Sequence, residues 1–168
     1  MASLSGLRER TERRLIIGLI SDTHGLVRAS VHDALAGVEL ILHAGDVGGD
    51  DVLDELAMIA PIIAVRGNCD DPQDARLKLR EVRDVNGVRI HVSHGHELGV
   101  PTPARLAERY DAHVIVYGHT HRQRMDRIEG KMIVNPGAAG PRRFDLQPSV
   151  ARLTVVEGQP VVELIELT

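Results

Sequence analysis

The chain has 168 residues, of which 43% are hydrophobic and 26% charged, and its formal net charge is -4 at pH 7. These values are typical of an ordinary globular protein and exclude collagen-like, low-complexity and strongly disordered sequences. Aromatic residues make up only 2% of the chain, which together with the mild acidity argues against nucleic acid as a tight partner.

The first 14 residues form a polar, arginine-rich extension, which we expect to be mobile and to precede a single domain over residues 15–168. The extension lacks the apolar run of a secretory signal. No stretch of the chain reaches the roughly 18 apolar residues that a membrane-spanning helix needs. The single cysteine, Cys69, cannot form an internal disulfide, so a reducing compartment is expected. We therefore predict a cytoplasmic protein without a membrane partner, and the sequence leaves its oligomeric state open.

Short apolar runs alternate with helical patterns in the first half of the chain. Residues 15–20, 38–42 and 62–65 have the length and composition of strands that are buried on both faces. Between them, apolar residues recur at helical spacing over residues 27–36 and 50–59, and Asp50 or Asp51 is expected to cap the second helix. This βαβαβ order predicts a parallel core.

The second half of the chain is rich in strands. Asn86-Gly87 predicts a type I′ hairpin, followed by a strand with Val88, Ile90 and Val92 on one face. Thr102-Pro103 predicts the start of a helix that runs to residue 110. Further strands are expected over residues 112–117, 131–134, 150–156 and 160–167. These antiparallel additions to a parallel core predict an α/β protein with two sheets packed together.

Polar side chains follow five of these strands, each beside a glycine. The segments are Ser21-Asp22-Thr23-His24-Gly25, His43-Ala44-Gly45-Asp46, Arg66-Gly67-Asn68-Cys69-Asp70, Ser93-His94-Gly95-His96 and Gly118-His119-Thr120-His121. Ligands of open α/β sheets bind beyond the carboxyl ends of the strands, so we expect these side chains to gather at one edge. A cluster of carboxylates and imidazoles without a lysine is costly when empty, and bound cations would relieve that cost.

Seven of these side chains are candidate metal ligands: Asp22, His24, Asp46, Asn68, His94, His119 and His121. Mixed oxygen and nitrogen ligation favours manganese, nickel, zinc, iron or cobalt over calcium, which prefers an all-oxygen shell. Seven ligands are too many for one ion, so we predict two divalent transition-metal ions sharing one carboxylate, with manganese as the expected metal. Two ions about 3.5–4 Å apart form a clamp for in-line displacement at phosphorus.

The ordered motifs D-x-H, G-D, G-N-x-D, H-G-H and G-H-T-H resemble those of the calcineurin-like metallophosphoesterases. The chain is similar to their small single-domain bacterial and archaeal phosphodiesterases, a branch that includes the retromer scaffold subunit. The similarity extends from about Ile16 to the C-terminus and includes the late turn Asn135-Pro136-Gly137. It implies a four-layer αββα fold, in which two mixed parallel and antiparallel sheets form a sandwich flanked by helices. It also implies metal-dependent hydrolysis of a small phosphodiester substrate.

The resemblance further implies a role for each candidate ligand. One metal would take Asp22, His24, Asp46 and His121, and the other would take Asp46, Asn68, His94 and His119. Asp46 would bridge the two ions, and a hydroxide between them would be the nucleophile. Asp46, Asn68 and His94 are accordingly predicted to be catalytic as well as metal-binding.

Cys69 departs from the pattern of many phosphomonoesterases and phosphoprotein phosphatases of the superfamily, which carry a histidine at this position to assist the leaving group. The small phosphodiesterase branch commonly lacks that histidine too, so the identity of the general acid is open. Two alternative functions follow from the resemblance. One is a catalytically silent interaction scaffold, which the intact ligand set disfavours. The other is a phosphomonoesterase or phosphoprotein phosphatase, which Cys69 disfavours.

The remaining histidines and nearby arginines are interpreted as supporting residues. His43 is expected to be a core residue beside the site, and His96 either contacts substrate or caps the next segment. The other histidines, His32, His91 and His113, are assigned to the surface or to packing. Arg66, Arg142 and Arg143 are interpreted as solvated surface residues, with phosphate binding as the alternative.

Overall fold

The computed structural model describes residues 14–168, so the predicted N-terminal extension lies outside the described residues apart from its last position. In chain order the elements are β1 (Leu15–Ile20), α1 (Ala29–Ala34), β2 (Leu40–His43), α2 (Asp50–Ala57), β3 (Ile62–Ala64), β4 (Arg80–Val85), β5 (Val88–Ser93), a 3₁₀ turn (His96–Leu98), α3 (Pro103–Arg109), β6 (Val114–Val116), β7 (Arg124–Ile128), β8 (Lys131–Asn135), β9 (Ser149–Val156) and β10 (Gln159–Glu166). The helices of this part of the chain are too short or too polar to cross a membrane. The assignment of residues 15–168 to a single domain stays a prediction.

The strands form two mixed sheets of five strands each. The first has the order β10-β9-β1-β2-β3, and the second has the order β4-β5-β6-β8-β7. In the first sheet β1, β2 and β3 run parallel, as the βαβαβ pattern predicts, and β9 and β10 add antiparallel strands. In the second sheet β5, β6 and β8 run parallel between the antiparallel edge strands β4 and β7.

The two sheets pack face to face around one apolar layer. Leu19 of β1 and Leu42 of β2 lie in this layer with Ile90 of β5 and Val116 of β6, and all four are buried. The predicted alternation of Val88, Ile90 and Val92 is confirmed, since all three belong to this layer. Burying this surface is the main source of the attraction between the sheets.

Helices cover the outer face of each sheet. Leu35 and Leu56, beside α1 and within α2, pack with Ile20 and Ile41 on the first sheet. Leu106 of α3 packs on the second sheet with a separate apolar cluster. Strands covered on both faces have no polar side to expose, which explains why β1, β2 and β6 read as continuous apolar runs. The four-layer αββα fold is confirmed.

Turn and cap predictions have mixed outcomes. Asn86 and Gly87 both have positive φ, 48° and 83°, as the type I′ turn requires. Thr102 caps α3 by accepting a hydrogen bond from the Arg105 N–H. The predicted cap of α2 is wrong: its N-cap is Gly49, and no side chain caps it. Asp50 and Asp51 lie instead in the first turn, where their charge favours the positive end of the helix dipole.

Strand β7 was not predicted from the sequence. It carries arginine, aspartate and methionine at neighbouring positions and is largely exposed, because it is an edge strand with one partner, β8. Hydrophobic periodicity detects strands through their buried faces, so an edge strand of this composition gives little signal.

Candidate metal centre

The loops that follow the parallel strands are hydrogen-bonded to one another, and this brings all seven predicted side chains together. Asp22 N–H donates to the Gly45 carbonyl at 3.0 Å, which ties the loop after β1 to the loop after β2. Gly118 N–H donates to the His94 carbonyl at 3.0 Å, which ties the loop after β6 to the end of β5. His119 N–H donates to Asp22 Oδ2 at 3.1 Å, which joins the two sheets, so their carboxyl ends meet at one site, as predicted.

Four of the side chains surround a first position. His121 Nε2 lies 3.3 Å from Asp22 Oδ1, and His24 Nε2 lies 3.8 Å from the same oxygen. His24 Nε2 also lies 3.4 Å from His121 Nε2 and 3.7 Å from Asp46 Oδ2. Ligand atoms that sit about 2.1 Å from one ion are separated from each other by roughly 3.0–3.6 Å. The spacing therefore suits a shared cation.

The other side chains surround a second position. Asn68 Oδ1 lies 3.1 Å from His94 Nε2 and 3.1 Å from His119 Nδ1. His94 Nε2 is 3.3 Å from Asp46 Oδ2, the same oxygen that faces His24. The Asp46 carboxylate is therefore common to both groups. Asp22 and His94 are fully buried and form the floor of the cleft, whereas Asn68 is exposed at its mouth.

Two hydrogen-bonding observations support a cation in this cluster. His94 Nδ1 lies 2.8 Å from the Ala44 carbonyl, to which it can only donate, so the lone pair of the neutral ring is on Nε2. That lone pair faces the acceptor oxygens of Asn68 and Asp46. In addition, Asp22 Oδ1 is buried and has no hydrogen-bond partner among the described residues. Acceptors that face one another without a donor are costly, and a metal ion would satisfy them together.

The charges of the cluster point the same way. Burial favours the neutral acid, yet contacts with His121 and His94 hold the pKa of Asp22 below its usual value. The pKa of Asp46 is lowered well below its usual range against the effect of burial, mainly by His94. Burial would lower the pKa of His94, but Asp46 and Asp22 outweigh it and raise that pKa. The two ionised carboxylates thus favour a positive charge at His94 Nε2, which a proton supplies in the metal-free protein and a bound metal ion would replace.

Five of the seven side chains extend from backbone in the left-handed region, with φ between 45° and 71°. They are Asp22, His24, Asp46, His119 and His121. The sequence suggests that an extended D-x-H or H-T-H segment would place both side chains on one side, but tight turns occupy these positions instead. His119 points to Asn68 and His121 to Asp22, so the pair serves both halves of the cluster. Such conformations cost about 1 kcal/mol or more each and are concentrated at functional sites.

His43 lies beneath the cluster and is not one of its members, in agreement with the sequence interpretation. The Thr23 hydroxyl donates to the Val47 carbonyl at 2.7 Å, so His43 Nε2–H donates to Thr23 Oγ1 at 2.9 Å. His43 Nδ1 accepts from the Gly45 N–H at 3.1 Å. Burial lowers the pKa of His43 to about 4. A neutral imidazole therefore joins the loops that carry Asp22 and Asp46.

Asp70 holds the loops after β2 and β3 together, a role that sequence reasoning missed. One carboxylate oxygen accepts from the Val47 N–H at 2.9 Å and the Gly48 N–H at 3.2 Å, and the other accepts from the Gly67 N–H at 2.9 Å. At Gly67 a Cβ atom would lie 2.0 Å from Asp46 Oδ1, so only glycine permits this approach. Asp70 thus holds the loop that carries Asp46 in place. Its carboxylate oxygens are engaged by backbone N–H groups and do not act as a proton donor in the cleft.

Replacing Asp70 by alanine is expected to lower the free energy of unfolding by about 2 kcal/mol, because three backbone N–H groups lose their acceptor. Asp71→Ala is the matched control, since that side chain bonds only the Gln73 N–H in an exposed turn, and its expected cost is below about 0.5 kcal/mol. Urea denaturation of both variants measures the difference. Equal stabilities for the two would show that the Asp70 contacts do not hold the loops.

Cys69 and His96 lie at the edge of the cluster. Cys69 is exposed, and its sulfur lies within 4.8 Å of ligand atoms of His24 and Asp46. Although the residue is exposed, partial desolvation of the sulfur and the Asp46 charge raise the pKa of the Cys69 thiol, so the thiolate is disfavoured. The His96 ring lies 5.3 Å from the His94 ring, whereas Glu97 accepts the Gly95 N–H at 2.8 Å. The contact at the start of the 3₁₀ turn is thus made by Glu97 and not by His96, which the sequence offers either as a cap or as a substrate contact.

Residues 15–158 match the family model described as the calcineurin-like phosphoesterase superfamily domain. A probable metallophosphoesterase of Methanothermobacter thermautotrophicus is 36% identical over 148 residues, which cover 83% of this chain and 81% of that protein. A phosphodiesterase of Methanocaldococcus jannaschii is 30% identical over 142 residues, which cover 72% of this chain and 82% of that protein. Among solved structures, Vps29 of Entamoeba histolytica in complex with Zn²⁺ has a TM-score of 0.73 at 24% identity, over 92% of this chain and 100% of that one. This last likeness is one of fold.

Proposed function

Since the chain belongs to the calcineurin-like phosphoesterase superfamily, we propose that it hydrolyses phosphodiester bonds with two divalent metal ions. The observation that carries the proposal is the shared Asp46 carboxylate, whose Oδ2 faces His24 at 3.7 Å and His94 at 3.3 Å. One carboxylate between two groups of nitrogen and oxygen ligands is the arrangement that a pair of ions requires. Divalent ions are the metals that this superfamily uses, and manganese is the ion proposed here.

Each half of the cluster would hold one ion. Asp22, His24 and His121 would bind the first, Asn68, His94 and His119 would bind the second, and Asp46 would bind both. When bound, the ions supply a water of lowered pKa and positive charge opposite the phosphoryl oxygens. The protein's own contribution is orientation: Ala44 fixes the His94 ring, and Ser21 and His119 N–H fix the second oxygen of Asp22.

A cavity of about 370 Å³ lies beside Cys69 at the edge of the cluster, and its lining includes four aspartates, Asp50, Asp70, Asp71 and Asp74, with Arg76. The substrate is therefore placed over the cluster itself. No imidazole occupies the Cys69 position to protonate a leaving group, and the Asp70 carboxylate is committed to backbone N–H groups. These features support a small phosphodiester whose leaving group departs with little acid assistance, in preference to a phosphomonoester or a phosphoprotein. We place the reaction in the cytoplasm.

The purified protein with Mn²⁺ is expected to hydrolyse bis(p-nitrophenyl) phosphate faster than p-nitrophenyl phosphate, because the proposed site favours a diester with a good leaving group. Chelation with EDTA should abolish release of p-nitrophenol, and added Mn²⁺ should restore it. Elemental analysis should find two ions per chain. Equal inactivity with manganese, nickel, zinc, iron and cobalt would refute the proposed function.

An interaction scaffold of the same fold is the second candidate, favoured by the structural likeness to Vps29. It predicts a stable protein that hydrolyses none of these esters although the seven ligands are intact. The activity screen therefore separates the two functions directly. A faster rate with the monoester than with the diester would instead favour a phosphomonoesterase.

A further inference from the structure

Cys69 is the only cysteine of the chain, and its sulfur lies beside two side chains of the candidate metal centre. Cys69 Sγ, a ring nitrogen of His24 and a carboxylate oxygen of Asp46 all lie within 4.8 Å of one another. The Cys69 N–H donates to Asp46 Oδ1 at 2.8 Å, so the backbone holds the cysteine against the shared carboxylate. Sulfur, nitrogen and oxygen ligand atoms are thus brought together at one point of the cleft.

Neither half of the cluster described above includes this sulfur. Asp22 and His121, which complete the first half with His24 and Asp46, are buried, whereas Cys69 is exposed. His24 and Asp46 therefore belong to two ligand sets. One set contains only nitrogen and oxygen, and the other contains a thiol.

The two ligand sets suit different metals. Carboxylate oxygens suit manganese, whereas thiolates select zinc and other soft ions. Zinc lies about 2.3 Å from a cysteine sulfur and about 2.0–2.1 Å from a histidine nitrogen, so the ligand atoms of a tetrahedral site are roughly 3.5 Å apart. A turn of the exposed Cys69 side chain about its Cα–Cβ bond moves the sulfur by the remaining distance of about 1 Å.

The approach to this sulfur is negatively charged. The cavity beside Cys69 is lined by four carboxylates and by one guanidinium, that of Arg76. The excess of negative charge raises the local concentration of divalent cations and disfavours an anionic ligand. The cavity therefore supports a cation as the ligand of Cys69.

We propose that Cys69, His24 and Asp46 bind a thiophilic divalent ion such as zinc, and that Cys69 thereby distinguishes zinc from manganese at the candidate metal centre. This inference rests on the metal site of the proposed function but not on hydrolysis. As the ion binds, the thiol proton passes to solvent and a sulfur–metal bond replaces the S–H bond. Partial desolvation and the Asp46 charge raise the pKa of the metal-free thiol, and the charge of the ion offsets both.

Cd²⁺ is the probe for this site, because a cadmium–thiolate bond gives a charge-transfer band in the ultraviolet and the chain has a single thiol. In the reduced wild type, Cd²⁺ should produce this band with one cadmium–sulfur bond per chain, and added Zn²⁺ should remove it. Cys69→Ser should lack the band, and its Cd²⁺ affinity by calorimetry should be at least about 10-fold lower. Its Mn²⁺ affinity should stay within about twofold, since a thiol adds little to the binding of a hard ion.

Two further variants separate a three-ligand site from an isolated thiol. His24→Ala should raise the Cd²⁺ concentration at half of the full band by roughly 10-fold or more, because the sulfur loses a partner ligand. Asp71→Asn removes a charge from the cavity lining but no ligand, and should change that concentration by less than about twofold. Matching thermal unfolding of the metal-free variants checks that none of the changes disturbs the fold.

The outcomes separate this inference from the proposed function. A wild type that shows no band at saturating Cd²⁺, or a band that forms at the same Cd²⁺ concentration in His24→Ala, would overturn the inference. A wild type that hydrolyses no ester but forms a band that depends on His24 would count against the proposed function and leave the sulfur-containing site standing. An active diesterase with equal Cd²⁺ affinity in wild type and Cys69→Ser would show the reverse.

Discussion

Asp46→Asn is expected to lower kcat/KM for phosphodiester hydrolysis by about 10³-fold, because it removes the one negative charge shared by both halves of the cluster. Asp46 Oδ2 faces His24 and His94, while Oδ1 accepts the Cys69 N–H at 2.8 Å. An asparagine oxygen can keep the hydrogen bond to Cys69, so the fold should survive. What is lost is the second anionic ligand that two divalent ions need. Steady-state kinetics with Mn²⁺ measure the effect.

Metal binding gives a readout that does not depend on turnover. For the wild type, saturating Mn²⁺ at about 100 times its dissociation constant should add about 2.7 kcal/mol to the free energy of unfolding for each ion bound. In a chain of this size, that should raise the melting temperature by roughly 5–10 °C for each ion. Asp46→Asn should lose most of this increase, and Asn68→Ala should lose less, since Asn68 contacts only the second group. Asp54→Asn, on the exposed face of α2, is the matched control. A full manganese response in Asp46→Asn would contradict the shared-ligand assignment.

The position of the site could be predicted from the sequence because strand ends carry the information. Each apolar run ends in an acid, an imidazole or an amide beside glycine, and parallel strands bring such ends to one edge. The seven side chains therefore converge as expected. Their local geometry was not predictable in the same way. Asp22, His24 and His121 adopt positive φ, which alternation along an extended segment does not describe.

The supporting contacts were the least predictable part of the site. Asp70 follows Asn68 and Cys69 in the sequence, and nothing in that position predicts which groups it contacts. In the fold it accepts N–H groups of Val47 and Gly48, more than twenty positions away. Such contacts depend on how two loops meet after both sheets have packed. Local sequence patterns do not predict contacts between loops that are distant in the chain.

Acidification from pH 8 to pH 5 is expected to destabilise the folded chain through two buried histidines. Burial lowers the pKa of His91 to about 4, with Glu97 opposing the shift and Arg80 adding to it, and burial also lowers the pKa of His43 to about 4. The ordinary value is 6.5, so between pH 6.5 and pH 4 the unfolded chain binds more protons than the folded chain. Stability is then complete above pH 6.5 and declines as the pH falls. At pH 5 the loss is about 2 kcal/mol for each histidine.

His91→Phe isolates one of these contributions. His91 stacks on Tyr110 with ring centroids 3.7 Å apart, and its Nε2 lies 3.1 Å from Ser93 Oγ, so phenylalanine keeps the stacking and loses one hydrogen bond. At pH 8 the free energies of unfolding of the variant and the wild type should differ by less than about 1 kcal/mol. At pH 5 the free energy of unfolding of the variant, relative to that of the wild type, should be about 2 kcal/mol higher than at pH 8. The reason is that phenylalanine takes up no proton when the chain unfolds. Urea denaturation in EDTA at both pH values measures the change.

Comparing the variant with the wild type matters because His94 titrates with the opposite sign. Asp46 and Asp22 raise the pKa of His94 despite burial, so its stabilising effect is complete below pH 6.5 and is lost as the pH rises through the folded value. Asp22 and Asp46 have lowered pKa values, and their contributions decline only below the ordinary carboxyl value of 3.8. These groups are common to both proteins and cancel in the difference. An identical loss of stability from pH 8 to pH 5 in His91→Phe and wild type would show that His91 does not stay neutral in the fold.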